Sequence, residues 1–437
     1  MKLNRYILKL ALPSIISNIT VPLLGIVDLA IVGHMGDSKF IGAVSVGAMI
    51  FNIVYWLMGF LRMGTSGLTA QTYGKGDSGG MSRLLGMSLK LAALIAFGII
   101  ILQNLIFFIF ISVIHPSEQV ASLAKVYFSV LIWGAPAVLS SYCLNGWLIG
   151  CQNTFTPMAV AIMQNITDIL ASMFFVFVCG MGIGGVALGT LIAQWAGAIV
   201  LFISVRNIAG NMNTNGAGGN KVIGWKHFFS VNRDVFLRTA CIVTVNLLFS
   251  ALGARQGDNI LAANTLLMTF FTVYSYFLDG FAYAGEAICG NAFGAGDFAR
   301  LRKSSDELFA WGGVMAFSFT ALYLLGGMKA VGLLTNNADV VNTAGNYLFW
   351  VILIPLAGTS AFISDGIFIG ATKTRSMLLA VSASAVVFVL ICMAGHCFLG
   401  FKWRNHILWL AFILFLSLRG IIQTLLLKRA FKKTDTE

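Results

Sequence analysis

Two carboxylates inside otherwise apolar runs carry most of the chemistry this chain offers. Asp28 lies in "VPLLGIVDLAIVGHMGD" (21–37), where polar side chains are scarce. An ionised Asp at the centre of a bilayer costs about 2.5–3.5 kcal/mol on insertion scales, so it is expected to be neutralised, paired or used. Asp168 lies in "QNITDILASM" (164–173). There Asn165, Asp168 and Ser172 fall on one helical stripe, and Gln164 sits four residues before Asp168. Thr190 and Gln194 form a second stripe further along. Polar side chains in a membrane face the bundle interior, so these stripes are expected to meet. Two carboxylates in one low-dielectric region disfavour double ionisation. No Lys or Arg falls away from the ends of the runs that carry them, nor of the run at 122–148. One of the pair is therefore expected to take up a proton. The alternative is a sodium ion held by carboxylate, amide and hydroxyl oxygens.

The second half of the chain has its own acids: Asp279 and Glu286, seven apart and so on one helix face, and Asp365. Arg62 and Arg238 are intramembrane cations available to pair with them, so these acids read either as fastened ion pairs or as a second acidic site. Enzymatic chemistry is not expected. The five His are scattered over loops and helix ends, and no HExxH or GxSxG pattern occurs. The seven Cys form no CxxC pair, and "CMAGHC" (392–397) lacks a recognised ligand spacing, so it reads as apolar filler and no metal site is expected.

The elements that position these residues are membrane helices. The chain is 58% hydrophobic and 10% charged, whereas soluble domains carry about 25% charged residues. Twelve apolar runs are long enough to span, at about 10–33, 42–70, 88–113, 122–148, 157–180, 184–206, 234–255, 261–290, 306–329, 341–369, 377–400 and 406–428. The first is too long, and too closely followed by others, for a cleaved signal peptide. The net charge of +12 clusters between alternate runs, which is the positive-inside pattern rather than a nucleic-acid surface. With the amino terminus inside, the opposite face holds only Lys39, Lys125, Arg255, Lys329, Lys402 and Arg404. Both termini are therefore expected in the cytoplasm.

After six runs comes the Gly/Asn-rich stretch 206–234, and six runs follow. A shift of about 220 residues brings "HMGD" (34–37) onto "RQGD" (255–258) and Gly59-Phe60 onto Gly280-Phe281. It also brings "YGKGD" (73–77) onto "FGAGD" (293–297), and "NGWLIGCQNT" (145–154) onto "DGIFIGATKT" (365–374). Six spans per copy make the repeat parallel. The expected fold is an all-α membrane protein of twelve transmembrane helices in two six-helix bundles facing a central cavity. Its expected divisions are an amino-terminal lobe 1–206, a cytoplasmic linker 207–233 and a carboxyl-terminal lobe 234–437 with a short basic cytoplasmic tail. Pro13 and Pro22 beside Asp28, with Pro136 and Pro355 at matching places in the repeat, are candidate kinks.

"LALPSIISNITVPLLGIVDLAIVGHMG" (10–36), "LRMGTSGLTAQTYGKGD" (61–77), "LDGFAYAGEAICGNAFGAGD" (278–297) and "DGIFIGATKT" together resemble the DinF-like branch of the MATE (multidrug and toxic compound extrusion) transporters. The resemblance spans essentially the whole chain. It implies a cation-coupled efflux antiporter of a prokaryotic inner membrane, monomeric and without cofactor. Its implied cargo is amphipathic, often cationic, organic molecules. It also implies a polar coupling cluster in the first lobe, to which Asp28, Asn145 and Thr190 correspond. In relatives the fifth helix carries Asn and then Asp four residues later; here those positions hold Asp168 and Ser172, so the acid has moved one turn along the same face. The alternative within the superfamily is a lipid-linked saccharide flippase, which would need several cationic residues in its cavity; Arg62, Arg238 and Arg419 are the candidates.

Overall fold

The computed structural model describes residues 2–34, 37–210, 224–398 and 403–434, and no strand occurs among them. Helix α1 (Lys2–Gly33) runs through both Pro13 and Pro22. The second span is a pair, α2 (Ser38–Met58) and α3 (Phe60–Gly74), meeting at Gly59. The third is α4 (Ser78–Ile101) with α5 (Gln103–Ile114). The fourth, α6 (Glu118–Leu131) and α7 (Ala135–Gly150), is broken by a 3-10 turn at Ile132–Gly134, just before Pro136. Proline has no N–H to continue the ladder, so a new helix starts there. Helix α8 (Phe155–Met173) ends in a π-helical turn, Phe174–Val178, and α9 (Gly182–Gly210) follows. The second half is six long helices: α10 (Trp225–Ala254), α11 (Asp258–Gly294), α12 (Phe298–Leu334), α13 (Ala338–Gly370), α14 (Thr374–Phe398) and α15 (Arg404–Thr434). Pro355 lies inside α13 without interrupting it.

Among the described residues, eleven segments from Lys39 onward are long and apolar enough to cross a membrane. The 32-residue α1 completes the twelve expected spans. Several helices overrun the apolar runs; α12, for example, covers 298–334 rather than 306–329. Hydropathy marks only the part of a helix that lies in hydrocarbon, whereas backbone hydrogen bonding carries it on into the polar flanks.

The repeat is structural down to the backbone. In α7, a Cβ on Gly146 would collide with the Arg62 carbonyl of α3, and one on Gly150 would stand 2.8 Å from the Ser66 carbonyl. In α13, Gly366 sits in the same way on the Ala282 carbonyl of α11, and a Cβ on Gly370 would stand 2.8 Å from the Glu286 carbonyl. Each half thus uses one small-xxx-small pair to bring two helix backbones together. The loops match too. Gly76 and Gly296 take φ of 69° and 73°, a left-handed conformation that glycine adopts without strain. Asp77 Oδ1 then accepts from Gly80 N at 2.8 Å, and Asp297 Oδ1 from Arg300 N at 2.8 Å, capping α4 and α12. Gln152 and Thr372, both with positive φ, occupy equivalent turns.

The chain forms two compact units, Ile16–Asn232 and Met1–Ile15 with Arg233–Glu437, so α1 contributes to both. Of the stretch 207–233 expected as a linker, residues 211–223 lie outside the described residues, whereas α10 already begins at Trp225. Its Phe228 and Val231 are buried against Leu68, Leu84 and Met87, which makes this turn part of the first unit. In the first unit Trp147 is fully buried and donates to the Met81 carbonyl at 3.3 Å. The second unit has a core built around Tyr274, Phe249, Trp409, Phe412 and Phe415.

Candidate functional site

In the first unit, Asp168 and Ser172 project from α8 and Thr190 from α9. Asp168 is 1% exposed and Ser172 fully buried. The Ser172 hydroxyl donates to Asp168 Oδ1 at 3.1 Å and stands 3.4 Å from the Val186 carbonyl. The Thr190 hydroxyl donates to the same Oδ1 at 3.1 Å and stands 3.2 Å from the same carbonyl. Each hydroxyl has one proton and two acceptors, so the four oxygens form a compact group that can redistribute its hydrogen bonds when the charge on Asp168 changes.

Glycines in α9 make this approach achievable. A Cβ on Gly189 would collide with the Ser172 hydroxyl and stand 2.5 Å from its backbone nitrogen; one on Gly185 would stand 3.0 Å from the Phe175 backbone. Gly189→Ala is therefore expected to push α9 off α8, at about 1–3 kcal/mol of overpacking. Its melting temperature and transport rate should both fall. Gly184→Ala, where a Cβ meets nothing closer than 3.9 Å, should leave both unchanged. Thermal melting of the purified variants, followed by transport assays, checks this.

Asp28, half-buried in α1, is close enough to Asp168 for their charges to interact. Tyr127 of α6 is near both carboxyls. Asp28 Oδ1 and Asn145 Oδ1 are each buried with no hydrogen-bond partner among the described residues. Neither Asp28 nor Asp168 forms an ion pair among the described residues. An unpartnered buried carboxylate oxygen is costly, and a proton or a cation relieves that cost. Two residues of the expected stripes go elsewhere. Asn165 donates to the Thr20 carbonyl at 3.1 Å and so ties α8 to α1, and Gln164 donates to the Ala193 carbonyl at 3.4 Å. The buried Oε1 of Gln194 points at Gly134 rather than at the acids. Asn145 makes no hydrogen bond to Asp168.

The acids of the second unit differ in kind. Asp365 Oδ2 accepts from both Arg238 and Arg419, and Oδ1 accepts from Gln423 Nε2 at 2.7 Å. All four side chains are buried. Arg419 also senses the repulsion of Arg238 and the attraction of the half-buried Asp279, and its guanidinium lies 5.7 Å from the Phe362 ring centre. Glu286 is buried in α11. The pairing of Asp365 with Arg238 is thus present and is reinforced by Arg419. Arg62 belongs to the first unit, where it lies near Tyr142. No trio of His, Cys, Asp or Glu converges as a metal site among the described residues; the side chains of His396 and Cys397 in "CMAGHC" lie outside them.

Tyr127, the Val186 carbonyl and Gln423 are participants that no sequence pattern marks. A tyrosine inside an apolar helix is indistinguishable from packing, and a backbone carbonyl has no residue code. The Gly185-x3-Gly189 spacing is the one legible signal of the close α8–α9 approach.

A repeated pair of six-helix units, with buried carboxylates in each, defines a multi-pass secondary transporter. A family model described as MatE matches residues 13–174 and 235–394, one copy in each half. The chain belongs to that family, the MATE transporters, and is accordingly a secondary transporter rather than an enzyme. It is 36% identical over 419 residues to the DNA damage-inducible protein F of Escherichia coli K12, spanning 94% of this chain and 89% of that protein. It is 23% identical to the probable multidrug resistance protein NorM of Deinococcus radiodurans, over 86% of this chain and 84% of that one. Among solved structures, a MATE crystal structure in the bent conformation superposes with a TM-score of 0.87 at 18% identity, covering 100% of this chain and 98% of that one. The Vibrio cholerae MATE transporter VcmN, also in a bent form, gives 0.85 at 15% identity, covering 100% of this chain and 98% of that one. At these identities the superpositions show the twelve-helix fold.

Proposed function

We propose that the chain is a cation-coupled efflux antiporter of a prokaryotic inner membrane, working as a monomer with both termini in the cytoplasm. It exports amphipathic or cationic organic compounds in exchange for protons, with sodium as the alternative coupling ion. The observation that carries this reading is the contrast between the two sets of acids. Asp28 and Asp168 are near each other, the first half-buried and the second buried, and neither has an ion pair among the described residues, whereas Asp365 has two arginines and an amide upon it. A carboxylate pair without a fixed counterion is the one that gains most by taking a proton or cation. Ser172, Thr190 and the Val186 carbonyl supply the oxygens that stabilise either state of Asp168, and Asn145 supplies a further buried acceptor. Ion uptake from outside and cargo binding from inside then compete, and each displaces the other through the first unit's helices.

Human and bacterial relatives whose names speak of multidrug or toxin extrusion support this choice of cargo. A flippase for lipid-linked saccharides would need cationic side chains to grip a pyrophosphate, and Arg238 and Arg419 are committed to Asp365.

The test is export of ethidium from proteoliposomes under a proton gradient or a sodium gradient imposed separately. Export on the proton gradient alone is the expected result. Sodium-only drive would keep the site and change the ion. Failure under both gradients, with a panel of cationic and anionic amphiphiles, would overturn the antiporter reading.

A further inference from the structure

At one end of the second unit, α10, α14 and α15 enclose a cleft of about 330 Å³. Its walls are apolar, with Leu252 on α10 and Phe388 and Met393 on α14, while Arg255, Gln256 and Arg404 stand at its rim. We propose that this cleft binds an anionic phospholipid, with its phosphate between Arg255 and Arg404 and an acyl chain along the apolar walls.

Three observations converge. First, this end of the bundle is the face that the charge distribution leaves nearly bare: only six Lys or Arg fall there in the whole chain, and two of the six line this one cleft. Two guanidinium groups at the mouth of one apolar cleft make it attractive to an anion. Guanidinium groups suit a phosphate because they hold it with parallel N–H donors. Second, Gln256 donates its Nε2 to the Leu252 carbonyl at 3.1 Å, which fixes the amide and leaves Oε1 buried without a partner. That oxygen needs a donor. A phosphodiester has none, but the hydroxyls of a phosphatidylglycerol headgroup do. Third, Met393 is exposed on the bundle surface, so a chain can enter sideways from the surrounding lipid. The inner wall is set by the close contact of α14 with α15, where a Cβ on Gly395 would stand 2.6 Å from Ile407. A zwitterionic phosphatidylcholine fits worse, because its quaternary ammonium would approach two guanidinium groups. On the proposed orientation the site opens to the outer leaflet; the binding chemistry does not depend on that orientation or on the transported compound.

Native mass spectrometry of the full-length protein in neutral detergent tests this directly, by titration with dioleoyl-phosphatidylglycerol or dioleoyl-phosphatidylcholine. The wild type is expected to bind its first phosphatidylglycerol about tenfold more tightly than phosphatidylcholine, and inorganic phosphate is expected not to displace it. Arg255→Ala with Arg404→Ala should reduce the preference to within about twofold. Met393→Trp should do the same by filling the cleft without changing any charge. Lys39→Ala with Lys125→Ala, which removes two cations elsewhere on the same face, should leave the preference intact. No preference in the wild type, or an undiminished preference in the double arginine variant, would overturn the proposal. So would displacement of the lipid by inorganic phosphate.

Discussion

Asp168→Asn is expected to abolish ion-driven ethidium export, to the leak rate of empty liposomes, while leaving the protein folded. The asparagine keeps an oxygen where Asp168 Oδ1 accepts from Ser172 and Thr190, so the α8–α9 contact survives and the melting temperature should stay close to wild type. What the substitution removes is the ability to exchange a charge. Without it, Ser172, Thr190 and the Val186 carbonyl become a static hydrogen-bonded group, and cargo binding has nothing to displace. Asp28→Asn should have the same phenotype if the two carboxyls, which sense each other's charge, form one coupling site as proposed. Ethidium efflux rates from proteoliposomes, with folded fraction measured on the same preparations, provide the check. Transport surviving in both variants would assign Asp28 and Asp168 to helix fastening alone.

The second large effect concerns stability. Asp365→Ala leaves Arg238 and Arg419 buried, close enough to repel each other, and stripped of the carboxylate that both contact. Removing one partner of a buried ion pair costs about 3–5 kcal/mol, because the remaining charge cannot be resolvated. The folded yield should collapse, and whatever folds should melt well below wild type. The triple change Arg238→Met, Asp365→Leu and Arg419→Met removes all three charges together and should restore much of the folded yield. Its transport is the informative readout. If the second-unit carboxylate only fastens α10, α13 and α15, the triple variant still exports ethidium on an ion gradient. A folded triple variant that has lost coupling would instead make Asp365 part of the ion site.

The spans were legible because an uninterrupted apolar run of about 20 residues matches the thickness of a hydrocarbon core. The parallel repeat was legible because its turns are chemically demanding. Gly76 and Gly296 need left-handed backbone, and Asp77 and Asp297 cap the helices that follow. The interruptions at Gly59 and Leu102 were not legible, since each is a local break inside an unbroken apolar run, whereas the break at Ile132–Gly134 falls just before Pro136, a kink that the sequence marks. At the site, the stripe Asp168–Ser172 and its partner Thr190 could be read from helical spacing. Asn165 and Gln164 share nearly the same face, yet they turn to the backbones of α1 and α9. Spacing assigns a face, not a hydrogen-bond partner. The joint hold of Arg238 and Arg419 on Asp365 was less accessible still. The three residues lie on helices far apart in sequence, and only the packing of α10, α13 and α15 brings them together. Asp365 aligns with Asn145 in the repeat, but the residues that the same shift places opposite Arg238 and Arg419 are Asn18 and Ile199, so the repeat carried no sign of the paired arginines.

On the proposed function, cargo and ion compete through Asp28 and Asp168. The most direct test of this competition is ion displacement by ethidium from the purified wild-type and Asp168→Asn proteins. Proton release would be followed with a pH indicator, and sodium release in parallel with radiolabelled sodium. The wild type should release one of the two ions in proportion to the ethidium bound, and Asp168→Asn should bind ethidium while releasing neither. Undiminished ion release from Asp168→Asn would contradict the account and place the coupling site elsewhere in the protein.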